Sequence, residues 1–351
     1  MQTLRFRSLL MVGLAVLTSC YFCAQTALAH EGWGIVVDRQ GQIYFADIPT
    51  NTIWRINREG KLEAFLRDKH SHALVLAEDG SIYGTQEHHA AAVGSVWRVA
   101  PDGSFSNVLT PSRDFPLNLH PFTIDRDGNV YSTNSITFPN QSDKATLLKA
   151  TPGGVVTIIA GGLRGYRDGR GGEAQFSGID GMAWAPDGSL YVTDGAHVRR
   201  VSEDGTVTTF GNEPLTSQSY GEDLMGLAVS QSGSVYVADY SERRLLQMMP
   251  DGNTRIILET GLFWSPTGVT SVGEDLYVLE HLRMPLVLLG DVGIGPYARV
   301  RRISSAGNVT TIATVWGRNT MTSLIVLLGI CALVVFVWRL RRRKNMRRSH
   351  S

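Results

Sequence analysis

Glu87, His88 and His89 stand in a row after an apolar stretch, and Glu280-His281 repeats the pairing of acid and imidazole far along the chain. Imidazole titrates near neutral pH and is the commonest metal ligand. Neutral imidazoles with carboxylates suit Zn²⁺ and similar divalent ions, whereas a mainly carboxylate and amide set suits Ca²⁺. A metal so held polarises a carbonyl or lowers the pKa of a bound water. The candidate ligands are Glu31, His72, His120, Asp180 and His281, with Glu280 and His88 as acid–base candidates. Arg167, in the loop from Gly161 to Gly178, is a candidate to hold an anionic substrate or an enolate. Two plainer readings compete: a wet polar channel without a metal, and a loop whose Asp168 and arginines satisfy one another.

Residues so far apart need a fold that gathers them. From Gly34 one pattern recurs as GIVVDRQGQIYFAD (34–47), ALVLAEDGSIYGTQ (73–86), PFTIDRDGNVYSTN (121–134), GMAWAPDGSLYVTD (181–194), GLAVSQSGSVYVAD (226–239) and GVTSVGEDLYVLE (268–280). Each reads as strand, tight turn, strand, with glycine supplying positive φ. A second hairpin follows each, beginning in IWRI (53–56), VWRV (96–99), LLKA (147–150), VRRV (198–201), LLQM (245–248) and VRRI (300–303). Four strands per unit in six units predict an all-β fold, a six-bladed β-propeller of four-stranded antiparallel blades. The last unit has its own fourth strand, so the ring is expected to close by packing of blade six on blade one.

In such a ring, residues leading into the first strand and residues ending the second converge on one mouth of the central channel. The lead-in positions are Trp33, His72, His120, Asp180, Met225 and Thr267, and the second strands end at Asp47, Gln86, Asn134, Asp194, Asp239 and Glu280. Six of the nine histidines (His30, His72, His88, His89, His120 and His281) fall at or beside this mouth. Trp33 and Tyr240 offer it an apolar wall.

The stretch GGLRGYRDGRGGEAQFSGIDGMAWAPDGSLYVTDGAHVRRVSEDGTVTTFG (161–211) resembles an NHL repeat, and residues 31 to about 315 resemble the NHL and SMP-30/gluconolactonase group of six-bladed propellers. That resemblance implies the fold, and a hydrolase, a lyase or a pure binding protein. In SMP-30-like lactonases the metal ligands are a Glu leading into blade one, matched by Glu31, and Asn and Asp residues leading into later blades. Asp180 stands where an Asn is expected, and Met225 where an Asp is expected. In peptidyl-hydroxyglycine amidating lyases three histidines hold Zn²⁺; His72 and His120 resemble two of them, and His281 would have to be the third. Streptogramin lyases use His and Glu at a mouth of seven blades. The implied reading is a small-molecule-binding propeller, a metal-dependent lactonase-like hydrolase or a lyase. The alternative is a non-catalytic scaffold for a protein, peptide or glycan.

The ends bear on location. Residues 1–29 read as a signal peptide, with Arg5 and Arg7, an apolar run and Ala27-Leu28-Ala29 before His30. Leu17-Thr18-Ser19-Cys20 also resembles a lipobox. Residues 320–338 read as a membrane span and 339–351 as a basic cytoplasmic tail, with residues 30–316 as the exported propeller. The tail is similar to C-terminal sorting signals, without their Pro-Glu-Pro motif. Nine of the 33 lysines and arginines lie in the two ends and none of the 32 acids does, so the body carries about eight net negative charges. That argues against nucleic acid as a partner. The expected partners are a small-molecule substrate or peptide and, through the C-terminal helix, a lipid bilayer; the expected state is a monomeric type I membrane protein. All three cysteines (Cys20, Cys23, Cys331) lie in the ends, so the body holds no disulfide. No dinucleotide fingerprint, Walker loop or nucleophile elbow is present.

Overall fold

Each repeat folds as one antiparallel sheet, because its alternating apolar residues must be covered on both faces and only neighbouring repeats can do so. The computed structural model describes residues 31–88, 93–109, 118–133, 144–216, 224–282 and 296–317. Blade one is β1 (Ile35–Val37), β2 (Ile43–Asp47), β3 (Thr52–Ile56) and β4 (Leu62–Arg67). Blade two is β5 (Leu74–Leu76), β6 (Ile82–His88), β7 (Val93–Val99) and β8 (Phe105–Leu109). Blade three is β9 (Asn118–Ile124), β10 (Val130–Thr133), β11 (Lys144–Ala150) and β12 (Val156–Leu163). Blade four is β14 (Ile179–Trp184), β15 (Leu190–Asp194), β16 (His197–Val201) and β17 (Thr206–Phe210), preceded by the short β13 (Gly169–Arg170). Blade five is β18 (Leu224–Val229), β19 (Val235–Asp239), β20 (Arg244–Met248) and β21 (Thr254–Glu259). Blade six is β22 (Trp264–Val272), β23 (Asp275–Leu282), β24 (Pro296–Ile303) and β25 (Val309–Trp316).

Within every blade the strands lie in sequence order. Blade four alone gains a fifth strand, β13, which pairs with the outermost β17 through Gly169↔Val207 and Arg170↔Thr206. The sequence pattern did not announce this strand, since two residues carry no period. The last blade supplies all four of its own strands, as expected.

Apolar clusters join successive blades. Val36, Tyr44, Ala46 and Ile53 of blade one meet Leu74, Ile82, Trp97 and Val99 of blade two. Trp97 is fully buried and fits only because Gly84, opposite it, lacks a side chain: a Cβ there would lie 2.1 Å from the indole. Equivalent clusters link blades two and three, three and four, four and five, and five and six. The propeller is one compact unit, Ala29–Arg283 with Ala298–Thr314. Among the described residues no helix is long and apolar enough to cross a membrane. The expected signal peptide (1–29), span (320–338) and tail (339–351) lie outside them.

Candidate functional site

Four of the six inner strands carry a glycine just before or within their first residues, and the reason is close approach. A Cβ on Gly34 would lie 2.5 Å from the Leu74 amide nitrogen, one on Gly181 2.4 Å from the Met225 carbonyl oxygen, and one on Gly226 3.0 Å from the Thr267 carbonyl oxygen. A Cβ on Gly268 would lie 2.0 Å from the Trp33 carbonyl oxygen. These contacts run from blade four through five, six and one to two, so the backbone itself closes the ring at the Gly268–Trp33 junction. Inside the ring is a cavity of about 50 Å³. Its lining comes from every inner strand and includes Trp33, Leu74, Phe122, Met182, Leu227 and Val269.

Bulges re-aim the residues at the mouth. The register shifts between Ser132 and Thr133, Ile179 and Met182, Leu224 and Leu227, and Pro266 and Gly268. Asp180, Met225 and Thr267 lie within the last three of these shifts, so their side chains leave the regular alternation of the sheet.

Trp33 is the hub of what the described residues bring together. Its ring contacts that of His72, with centroids 5.3 Å apart, and its amide donates to the His72 carbonyl oxygen at 2.8 Å. His72 is 1% exposed and also meets His70 edge to face, with centroids 5.1 Å apart. Two residues before Trp33, Glu31 Oε1 accepts a hydrogen bond from the Tyr240 hydroxyl of blade five at 3.0 Å. Glu31, Trp33, Asp180 and Tyr240 remain partly exposed.

Blade six supplies the most unusual chemistry. His281 is 2% exposed, and burial pushes its imidazole down to about 3. It is therefore neutral at physiological pH. Its Nδ1 lies 3.0 Å from Thr267 Oγ1, which in turn lies 3.4 Å from the Leu279 carbonyl oxygen. With the ring proton on Nδ1, Thr267 accepts from the ring and donates to Leu279, which leaves the Nε2 lone pair unused. Nε2 and the Oγ of Ser265 are both buried without a hydrogen-bond partner among the described residues. Ser265 is the cross-strand partner of His281. Each such buried group costs roughly 1–3 kcal/mol, so two on adjacent positions need an explanation.

Other expected site residues have structural roles. Glu280 is fully buried; its Oε2 accepts from Arg299 Nε at 2.7 Å and its Oε1 from Arg301 Nη1 at 3.1 Å. Burial raises its pKa although both guanidinium groups oppose the shift. The acids ending the second strands of blades one, four and five are buried in the same way. Asp47 accepts from Trp54 Nε1 at 2.7 Å, Asp194 from Arg199 Nη1 at 2.7 Å, and Asp239 from Arg244 Nε at 2.8 Å. These carboxylates clamp their own third strands. Asp194 and Asp239 each stand five residues before their arginine, a spacing that was readable in the sequence but was not used.

The long loop of blade four is docked rather than poised over the mouth. Its β13 extends the outer edge of the sheet, and Arg167 Nε donates to the Glu173 carbonyl oxygen at 2.7 Å within the loop. The guanidinium that organises it is Arg199, fully buried between Asp194 and Asp168, each 2.7 Å away, and stacked beneath Tyr166 at 4.7 Å. This fits the plainer reading of the loop, with its Asp168 satisfied by an arginine, although that arginine is Arg199 of β16 rather than one within the loop. His88 and His120 have described backbones only, in β6 and β9, and His89 lies outside the described residues. Among the described residues no three His, Cys, Asp or Glu side chains group to hold a metal. Glu31 is bonded to Tyr240, His281 Nδ1 to Thr267, and Glu280 to two arginines. Of the expected ligands, the His120 side chain lies outside the described ones.

The geometry can now be compared with known proteins. No curated protein matches the sequence significantly. Among solved structures, the gluconolactonase XC5397 from Xanthomonas campestris is 14% identical, with a TM-score of 0.53 over 71% of this chain and 84% of that one. The calcium-binding protein regucalcin from Agrobacterium tumefaciens is 16% identical, with a TM-score of 0.51 over 73% and 83%. Virginiamycin B lyase from Staphylococcus aureus is 16% identical, with a TM-score of 0.50 over 82% and 85%. At such identities these likenesses establish the fold. The model of the SMP-30/gluconolactonase/LRE-like region matches residues 32–280, and the chain belongs to that family.

Proposed function

We propose that this protein is an extracytoplasmic, membrane-anchored propeller that binds a small carbonyl compound at its channel mouth and opens it by lactonase-like hydrolysis or by elimination. One observation carries the reading. Residues leading into or ending strands of four blades come together beside the axial cavity: Trp33 packs on His72 of blade two and lies against the Gly268 backbone of blade six, and Glu31 bonds Tyr240 of blade five. Membership of a family that includes gluconolactonases supports it. Glu31 is the accessible carboxylate of the cluster and the best placed to act as general base, with Tyr240 holding it in position at 3.0 Å. Trp33 offers an apolar wall, with the His72 ring packed against it. Glu280 is not a reacting group in this reading, because both of its oxygens bond Arg299 and Arg301, and Arg167 is left out because its Nε donates within its own loop.

No step is routed through a metal, since the described donors do not converge. Zn²⁺ or Ca²⁺ enters the account only through a measurement of metal content. The second reading is a docking propeller without catalysis. The test is hydrolysis of glucono-1,5-lactone and of an alkyl-substituted lactone by the purified full chain, with elemental analysis of the same sample. Turnover that Glu31→Gln abolishes supports the proposal. Failure of the full chain to bind or open either lactone overturns it and leaves the docking reading.

A further inference from the structure

On the side away from the mouth, the first-hairpin turns carry polar residues at their tips, as in Arg39-Gln40-Gly41, Glu78-Asp79-Gly80, Arg126-Asp127-Gly128, Gln231-Ser232-Gly233 and Glu274-Asp275, while single apolar side chains (Phe105, Val155, Val272 and Val309) are exposed at separate strand ends. On the mouth side, the turn from β21 to β22 presents Leu262 and Phe263, 75% and 47% exposed. Leu262 is the most exposed large apolar side chain among the described residues. The turn is not loose. Thr260 donates from its amide to the Arg243 carbonyl oxygen at 3.0 Å, and its hydroxyl reaches the carbonyl oxygens of Arg243 and Trp264. Gly261 takes a φ of +84°, which lets the chain turn outward at that point. Leu163, 62% exposed, ends β12 on the same side.

Strand direction adds a second fact. β22 leaves the mouth, β23 returns, β24 leaves and β25 returns, so the last strand runs toward the mouth side. β25 ends at Trp316, and the uncharged apolar run of the sequence begins at Met321. The four residues between them span at most about 18 Å when fully extended. An exposed apolar tip held rigidly, on the side from which the chain departs toward an apolar run, fits a hydrocarbon surface better than water.

We propose that the mouth side of the propeller faces the lipid bilayer, with the Leu262–Phe263 tip seated in the membrane interface. A molecule reaching the mouth then arrives from the membrane surface, which points to an amphiphilic substrate carrying its reactive group at the headgroup level. This last step rests on the mouth being a binding site, as proposed above; the orientation does not.

The test uses the full chain with Cys20, Cys23 and Cys331 replaced by alanine, reconstituted into vesicles of phosphatidylcholine and phosphatidylglycerol. A nitroxide is attached through Leu262→Cys, through Phe263→Cys or, on the opposite side, through Ser232→Cys. Collisions with oxygen report hydrocarbon and collisions with a water-soluble nickel chelate report solvent. The proposal expects the labels at 262 and 263 to favour oxygen at least tenfold over the label at 232. Equal nickel access at all three positions overturns it. Lactone turnover is measured on the same vesicles: labels in lipid without turnover reject the activity and keep the orientation, and turnover with solvent-exposed labels does the reverse.

Discussion

At the residue scale, His281 is the group whose protonation the fold controls most strongly. Its pKa of about 3 lies below the ordinary imidazole value of 6.5, because burial disfavours the charged ring. A base depressed in the folded state binds fewer protons than in the unfolded chain below pH 6.5. Stability from this group is therefore intact above about 6.5 and falls as the pH drops toward 3. His281→Gln, which removes the titration, is expected to flatten the acid limb of the melting-temperature profile between pH 6 and pH 4. Differential scanning fluorimetry across that window checks this, and an unchanged slope would assign the acid sensitivity to other groups. His281, unlike the clamp acids, was singled out in the sequence. Its partners Ser265 and Thr267 became visible only through strand register, because nothing local to a serine marks it as lying opposite a histidine sixteen residues on.

At the element scale, the acid that ends four of the six second strands explains much of the blade geometry. Asp194 and Arg199 are both fully buried, 2.7 Å apart. Removing one partner strands the other charge in a dry interior, which costs roughly 3–5 kcal/mol. Arg199→Met should therefore destabilise the propeller by about that amount in urea titration, and should also free the loop that Asp168 anchors. Faster hydrogen exchange in residues 163–177 would report the second effect; exchange matching the wild type would mean that β13 and the bonds from Thr209 to Asp168 hold the loop without Arg199. Trp97→Ala should cost roughly 3–5 kcal/mol, because Gly84 cannot refill the space the indole leaves. The hairpins, their turns and the recurring tyrosines were legible because strand alternation and glycine turns are local signals. The fate of the acids was not. A carboxylate ending a strand looks the same whether it faces the channel or an arginine on the next strand, and only the Asp194–Arg199 and Asp239–Arg244 spacings hinted at the latter.

At the scale of the whole molecule, the six-bladed ring was readable from the repeat number, and the glycines near the mouth ends of the inner strands show how it closes. Gly268→Val would force a side chain into the Trp33 backbone, where a Cβ already lies 2.0 Å away. This change should lower the melting temperature more than the same change at Gly307, a solvent turn with open space around it. Because Trp33 also holds the mouth cluster, Gly268→Ala is expected to weaken ligand binding before it unfolds the ring. The membrane expectations belong to residues outside the described ones and are tested by the labelling experiment.

The account turns on Glu31 acting at a mouth assembled by ring closure. The most direct measurement is the rate of lactone opening by the full chain and by Glu31→Gln, each checked for an unchanged melting temperature. The prediction is measurable opening by the wild type and a loss of about 10²–10⁴-fold in the variant, the range expected for removal of a general base. Equal rates for the two proteins, whether both fast or both at the buffer level, would contradict it.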